Sequence, residues 1–109
     1  MRALEACDRL ADRSDAFVDT LLDELDGPSA INAYAAARML MHVGADERTR
    51  VDLRQRILTR LAAAAVGPGG AREVFRLDDN TSGDRWCTHY LGRLDDVIYD
   101  AMMTIAGLN

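Results

Sequence analysis

Apolar positions in the first quarter of the chain keep a helical beat. Leu4, Cys7, Ala11, Val18, Leu22 and Leu25 recur at spacings of three, four and seven, which puts them on one stripe of a 3.6-residue helix. The spacing predicts a helix over residues 4–25. Asp26-Gly27-Pro28-Ser29 then reads as a turn. Gly27 suits a helix C-terminus, Pro28 cannot continue the helix before it, and Pro28 at a first helical position or Ser29 as N-cap can start the next. In "INAYAAARMLMHVGA", residues 31–45, the apolar residues Ile31, Tyr34, Met39, Leu40, Met41 and Val43 spread round the axis. A helix of that kind belongs at the centre of a bundle. Its alanines let neighbouring backbones approach, and Gly44 marks its expected end.

Asp46 is placed to cap a third helix running to about Val66. Val51, Ile57, Leu58 and Leu61 supply its apolar face, and Arg48, Arg50, Arg54, Arg56 and Arg60 crowd the rest. "GPGG", residues 67–70, is the strongest breaker in the chain. A short helix is expected over Ala71–Leu77, then a polar loop, "DDNTSGD", over 78–84. Thr81 or Asp84 is the expected cap of a last helix, about 85–107, where Trp86, Tyr90, Leu91, Leu94, Val97, Ile98, Ala101, Met102 and Ile105 follow the helical period. Gly92 inside that helix costs about 1 kcal/mol relative to Ala. No segment alternates like a strand. The expectation is a single all-α domain over residues 1–109, a compact bundle of four longer helices plus one short one.

One stretch resembles a HEAT-type helical repeat, "LLDELDGPSAINAYAAARMLMHVG", residues 21–44. The likeness rests on Leu21, Leu22, Leu25, Asp26, Ala35, Ala36, Leu40 and Gly44, with an echo in residues 91–108 at Leu94, Asp95, Asp96, Ala101 and Gly107. The arginine that the family often carries after the turn is missing, and residues 67–90 fit no repeat unit. The resemblance implies a short HEAT-like array of stacked helix pairs, a binding scaffold without catalysis.

Composition narrows the class. The 109 residues are 49% apolar, ordinary for one globular domain. The longest apolar runs, such as Leu61–Val66, are too short to span a bilayer. "MRALEACDRLADR" has Asp and Arg where a signal peptide needs an apolar core. A soluble, cytoplasmic protein is therefore expected, off the membrane. In that compartment Cys7 and Cys87, eighty positions apart, are expected as free thiols.

Charge changes the picture further. The net charge is −5, and all thirteen basic residues are Arg. Coding bias explains the missing lysines as the plain reading. The functional alternative is the guanidinium's bidentate pairing with carboxylates or phosphates. The acidic balance argues against nucleic-acid binding. The arginines of residues 48–60 lack interleaved aromatics and read as a salt-bridged, solvated face. Asp8, Asp12, Asp15, Asp19 and Asp23 are spaced four, three, four and four, so a helix displays them as one ridge. Such a ridge serves solubility, or docks a basic partner, or pairs internally with the Arg-rich third helix. Residues 1–30 carry a charge of −5 and residues 46–76 one of +3.

Candidate chemistry is sparse. In "DDNTSGDRWCTH", Asp78, Asn80, Ser82 and Gly83 match positions 1, 3, 5 and 6 of a calcium loop, but position 12 is His89 instead of a bidentate Glu. The plain alternative is a loop held by side-chain-to-backbone turns. His42, His89 and Cys87 lack the converging partners that zinc or a nucleophile needs. No catalytic residue, metal ligand or cofactor is assigned. Trp86 and Tyr90, expected one helical turn apart, are an aromatic pair suited to a core or to a binding anchor. The expected function is a protein–protein interaction module, an adaptor or inhibitor, whose acidic first helix meets a basic partner protein. An acidic phage-type inhibitor of a nucleic-acid enzyme is one form of it. A metal-dependent protein or an enzyme using the 78–89 loop and its histidines is the alternative, and a leftover apolar face would make a homodimer.

Overall fold

The structure, a computed structural model, describes residues 15–79 and 86–107, the side chains of residues 78, 79, 86 and 87 excepted. Its elements in chain order are α1 (Asp15–Leu25), α2 (Ala30–Ala45), α3 (Val51–Val66), β1 (Glu73–Asp79), β2 (Trp86–Arg93) and α4 (Leu94–Ala106). The helical class holds, and a two-stranded antiparallel hairpin is added to it.

The alanine-rich helix is the hub. α2 touches α1, α3, α4 and β1, and buries Ala33, Ala36, Ala37, Leu40, Val43 and Gly44. Its exposed strip is Asn32, Ala35, Arg38 and His42, while Met39 and Met41 pack as half-buried flanks. Ser29 caps it as the sequence suggests, its Oγ accepting from the Asn32 amide at 3.2 Å. Gly44 is not the end of the helix. A Cβ built there would fall 2.6 Å from Ile105 Cδ1 and 2.8 Å from its Cγ1, so the missing side chain is what lets α4 lie against α2. Around this hub α1 packs Val18, Leu21, Leu22 and Leu25, α3 packs Leu53, Ile57, Leu61 and Ala65, and α4 packs Leu94, Ile98, Ala101 and Ile105. Each set repeats at three or four, one stripe per helix.

Two expectations need correction. Residues 73–79 are a strand, where the sequence predicts a short helix over 71–77 and the start of a loop, and the last helix starts at Leu94, not near residue 85. Val74, Phe75, Thr88 and Tyr90 favour extended backbone, and each strand supplies the other's hydrogen-bond partners. The register pairs Glu73 with Arg93, Val74 with Gly92, Phe75 with Tyr90, Arg76 with His89 and Leu77 with Thr88. An irregularity between Val74 and Phe75 skips Leu91. Gly92 sits at that bulge with φ +106°, a conformation costly for any residue with a Cβ. Its presence follows from the bulge rather than from a tolerated helix defect. Val74 is fully buried and roots the hairpin in the core. Residues 21–44 of the HEAT-like stretch fall on the end of α1 and most of α2, and residues 91–107 form a strand end and a single helix instead of a second pair.

Arginines hold the turns. Thr49, a buried polar residue, donates its hydroxyl to the Val43 carbonyl at 2.5 Å. Beside it Arg54 donates to the carbonyls of Gly44 (2.9 Å), Asp46 (3.0 Å) and Thr49 (3.2 Å). Arg72 does the same between distant turns, donating to Gly69 (2.9 Å), Gly27 (3.2 Å) and Pro28 (3.1 Å). The Leu94 and Asp95 amides donate to the carbonyls of Arg72 (2.8 Å) and Gly70 (2.7 Å).

Candidate interaction surface

The described part of the acidic ridge faces the arginines at the start of α3 and along it. Asp15 pairs with Arg50 at 2.7 Å, Asp19 pairs with Arg56, and Asp26, at the end of α1, pairs with Arg60. Of solubility, docking and internal pairing, the last is what Asp15 and Asp19 do. Asp23 is exposed. Asp8 and Asp12 lie outside the described residues, as does Cys7.

A second use of arginine repeats along the chain. Arg48 grips Asp46 through Nε (3.2 Å) and a terminal nitrogen (3.1 Å). Arg50 grips Asp52 at 3.0 and 3.3 Å, and Arg93 grips Asp95 at 3.2 and 2.6 Å. Each is a two-pronged fork between residues two apart. Arg50 and Arg93 occupy the N-cap positions of α3 and α4 and make no capping hydrogen bond. Asp52 and Asp95, in the first turns, offset the positive helix ends instead. The hydrogen bonds from Arg50 to Asp52, and then to Asp15, hold that guanidinium above its ordinary value. The Arg50 hydrogen bond in turn holds the Asp52 carboxyl below the usual range. Arg93 is raised by Asp95 in the same way.

The hairpin presents the apolar surface that the sequence did not reveal. Phe75 and Tyr90 stand directly opposite, with ring centroids 5.2 Å apart and planes tilted by 46°. Leu77, two residues along, shares their face. Phe75 is 47% exposed, Leu77 62% and Tyr90 54%. Tyr90 therefore belongs to a cross-strand pair with Phe75 and not to a helical pair with Trp86. Trp86 stands opposite Asp79 in the backbone register, and its side chain lies outside the description. The signal that could have found this face is the turn-rich "DDNTSGD" between two runs carrying aromatic and β-branched residues.

The metal reading gains no geometry. His42 is exposed on α2, and His89 stands opposite Arg76 on the hairpin. Among the described residues no three His, Cys, Asp or Glu side chains converge as a metal site. Residues 80–85 of the candidate calcium loop and the Cys87 side chain lie outside the description. Among the described residues no helix is long and apolar enough to cross a membrane. Compared with protein-family models, with curated proteins and with solved structures, the chain matches none.

Proposed function

We propose that this chain is a non-catalytic protein–protein interaction module, an adaptor or inhibitor, that docks through its hairpin onto a partner with a basic surface. The observation that carries the reading is the exposed Phe75–Leu77–Tyr90 face on a hairpin of only two strands. Aromatic side chains on a preformed strand pair bring contact area at low ordering cost. Two strands alone are marginal in water, so a partner's surface also steadies them. The acidic ridge acts at longer range. Internal pairs such as Asp15–Arg50 leave the net charge of −5 unchanged, and that field speeds encounter with a basic surface. A nucleic-acid enzyme, whose substrate channel is basic, is one such partner. The HEAT-like α1–α2 pair serves as the scaffold, with α2 packing against α4 and β1, and α4 bears the docking element on its first turn.

The test is capture of partners from the native host by the wild-type protein and two variants, read by mass spectrometry. The double variant Phe75→Ser/Leu77→Ser loses the partner while its circular dichroism stays helical. Asp12→Asn/Asp15→Asn/Asp19→Asn weakens capture, and more so at low salt than at high salt. Undiminished capture by the folded hairpin variant removes the hairpin from the account. Undiminished capture by the triple variant removes the ridge.

A further inference from the structure

α4 carries a second apolar stripe besides the one it buries. Tyr99 and Met103 are 47% and 46% exposed. With Met102, Ala106 and Leu58 of α3 they line an apolar groove of about 470 Å³. Tyr99 and Met103 also border an adjoining groove of about 420 Å³ that reaches Tyr34 and Arg38 on α2 and Asp96 and Asp100 on α4. The two helices run side by side in the same sense. Gly44 meets Ile105 near their C-terminal ends, and Tyr34 and Val97 border the same groove further back. Arg38 and Asp100 thus stand on opposite lips at a similar height. Arg38 lies 6.0 Å from the centroid of the Tyr34 ring, and among the described residues neither Arg38 nor Asp100 has an ion-pair partner.

We propose that a second copy of this chain docks on this face, about a two-fold axis that lies in the contact plane and runs along the groove between Arg38 and Asp100. A two-fold interface requires a patch that complements itself. This one does so by charge. Rotation about an axis between the lips carries the arginine of one copy onto the aspartate of the other, and the reverse pair forms at the same time. Tyr99 and Met103 of each copy, which border the Arg38–Asp100 groove, meet between the two ion pairs, an aromatic and apolar centre with a charged rim. The groove touches the base of the hairpin through Leu91 and Arg93, but Phe75, Leu77 and Tyr90 do not line it, so the dimer leaves those three open.

Sedimentation equilibrium over a concentration series, with light scattering, tests it. The wild-type protein associates reversibly to a dimer. Arg38→Asp sets two aspartates against each other at both contacts, and Asp100→Arg sets two arginines. Each variant alone dimerises at least about tenfold more weakly. Mixed in equal amounts they regain the wild-type association, because the mixed dimer restores both opposite-charge contacts. Met103→Ser, which truncates a half-exposed side chain, weakens the dimer independently of charge. Phe75→Ser/Leu77→Ser leaves it unchanged, which keeps the outcome separate from that of the docking reading. A wild-type protein that stays monomeric at its solubility limit overturns the proposal. So does a dimer indifferent to Arg38→Asp and Met103→Ser, or a mixture no stronger than its components.

Discussion

Arg54 ties the end of α2 to the start of α3, and replacing it should cost more than its partly exposed position suggests. Its guanidinium reaches the carbonyls of Gly44, Asp46 and Thr49 between 2.9 and 3.2 Å. The Gly44 carbonyl belongs to the last turn of α2, where helical acceptors run out of amide partners. Hydrogen bonds to a charged group contribute about 1.5–3 kcal/mol each. Three on one guanidinium are not additive, and water can reach the freed carbonyls in part. Arg54→Met, which keeps the aliphatic stem, should therefore destabilise the fold by about 2–3 kcal/mol. For a chain of this size that is a fall in Tm of roughly 10–20 °C. Arg54→Lys should recover less than half of the loss, because a point-like ammonium cannot span acceptors that the planar fork reaches together. Urea titration followed by circular dichroism, with a thermal melt, measures both variants. A loss under about 0.5 kcal/mol in Arg54→Met, the range of an ordinary surface change, refutes the reasoning. A lysine variant equal to wild type refutes the fork geometry specifically.

Three further outcomes are expected. The Asp52 carboxyl titrates below the usual carboxylate range, and Arg50→Gln moves it upward, as carbon-detected NMR would record. Because its folded value is depressed, the stability it adds is present at neutral pH and is lost as pH falls through that value, so wild type and Asp52→Asn converge in acid. Gly92→Ala forces a Cβ onto φ +106° and costs about 1–3 kcal/mol in denaturant titration; a neutral variant would remove the bulge from the account. In amide exchange the hydrogens of Leu40–Val43 are the slowest of the described chain, and rates there matching the 46–50 turn would overturn the placing of α2 as the hub.

The helical half of the molecule was legible because each helix buries one stripe. Val18, Leu22 and Leu25 in α1, and Leu53, Ile57 and Leu61 in α3, repeat at a period that sequence alone displays. The hub role of α2 was legible in its alanines. The hairpin was hidden by two coincidences. Trp86 and Tyr90 fall four apart and in phase with Leu94, so a strand running straight into a helix imitates one long helix. In β1 Val74 is buried while Phe75 and Leu77, on the opposite face, are exposed, so apolar residues occur on both faces and no apolar–polar alternation shows. The acidic ridge was visible as spacing, but its pairing depends on how α1 lies against α3, which no local pattern encodes. The many arginines made sense only once turn carbonyls and neighbouring carboxylates were seen at the ends of their forks.

Arg93 ends β2 and occupies the N-cap of α4, so no residue separates strand from helix. The other leg of the hairpin enters past Arg72, whose carbonyl is bonded to the Leu94 amide. Both legs are thus fastened to the first turn of the same helix, with no pivot at the base. A load taken up by the hairpin is therefore delivered to the first turn of the helix that bears Tyr99 and Met103, with no intervening loop to absorb it.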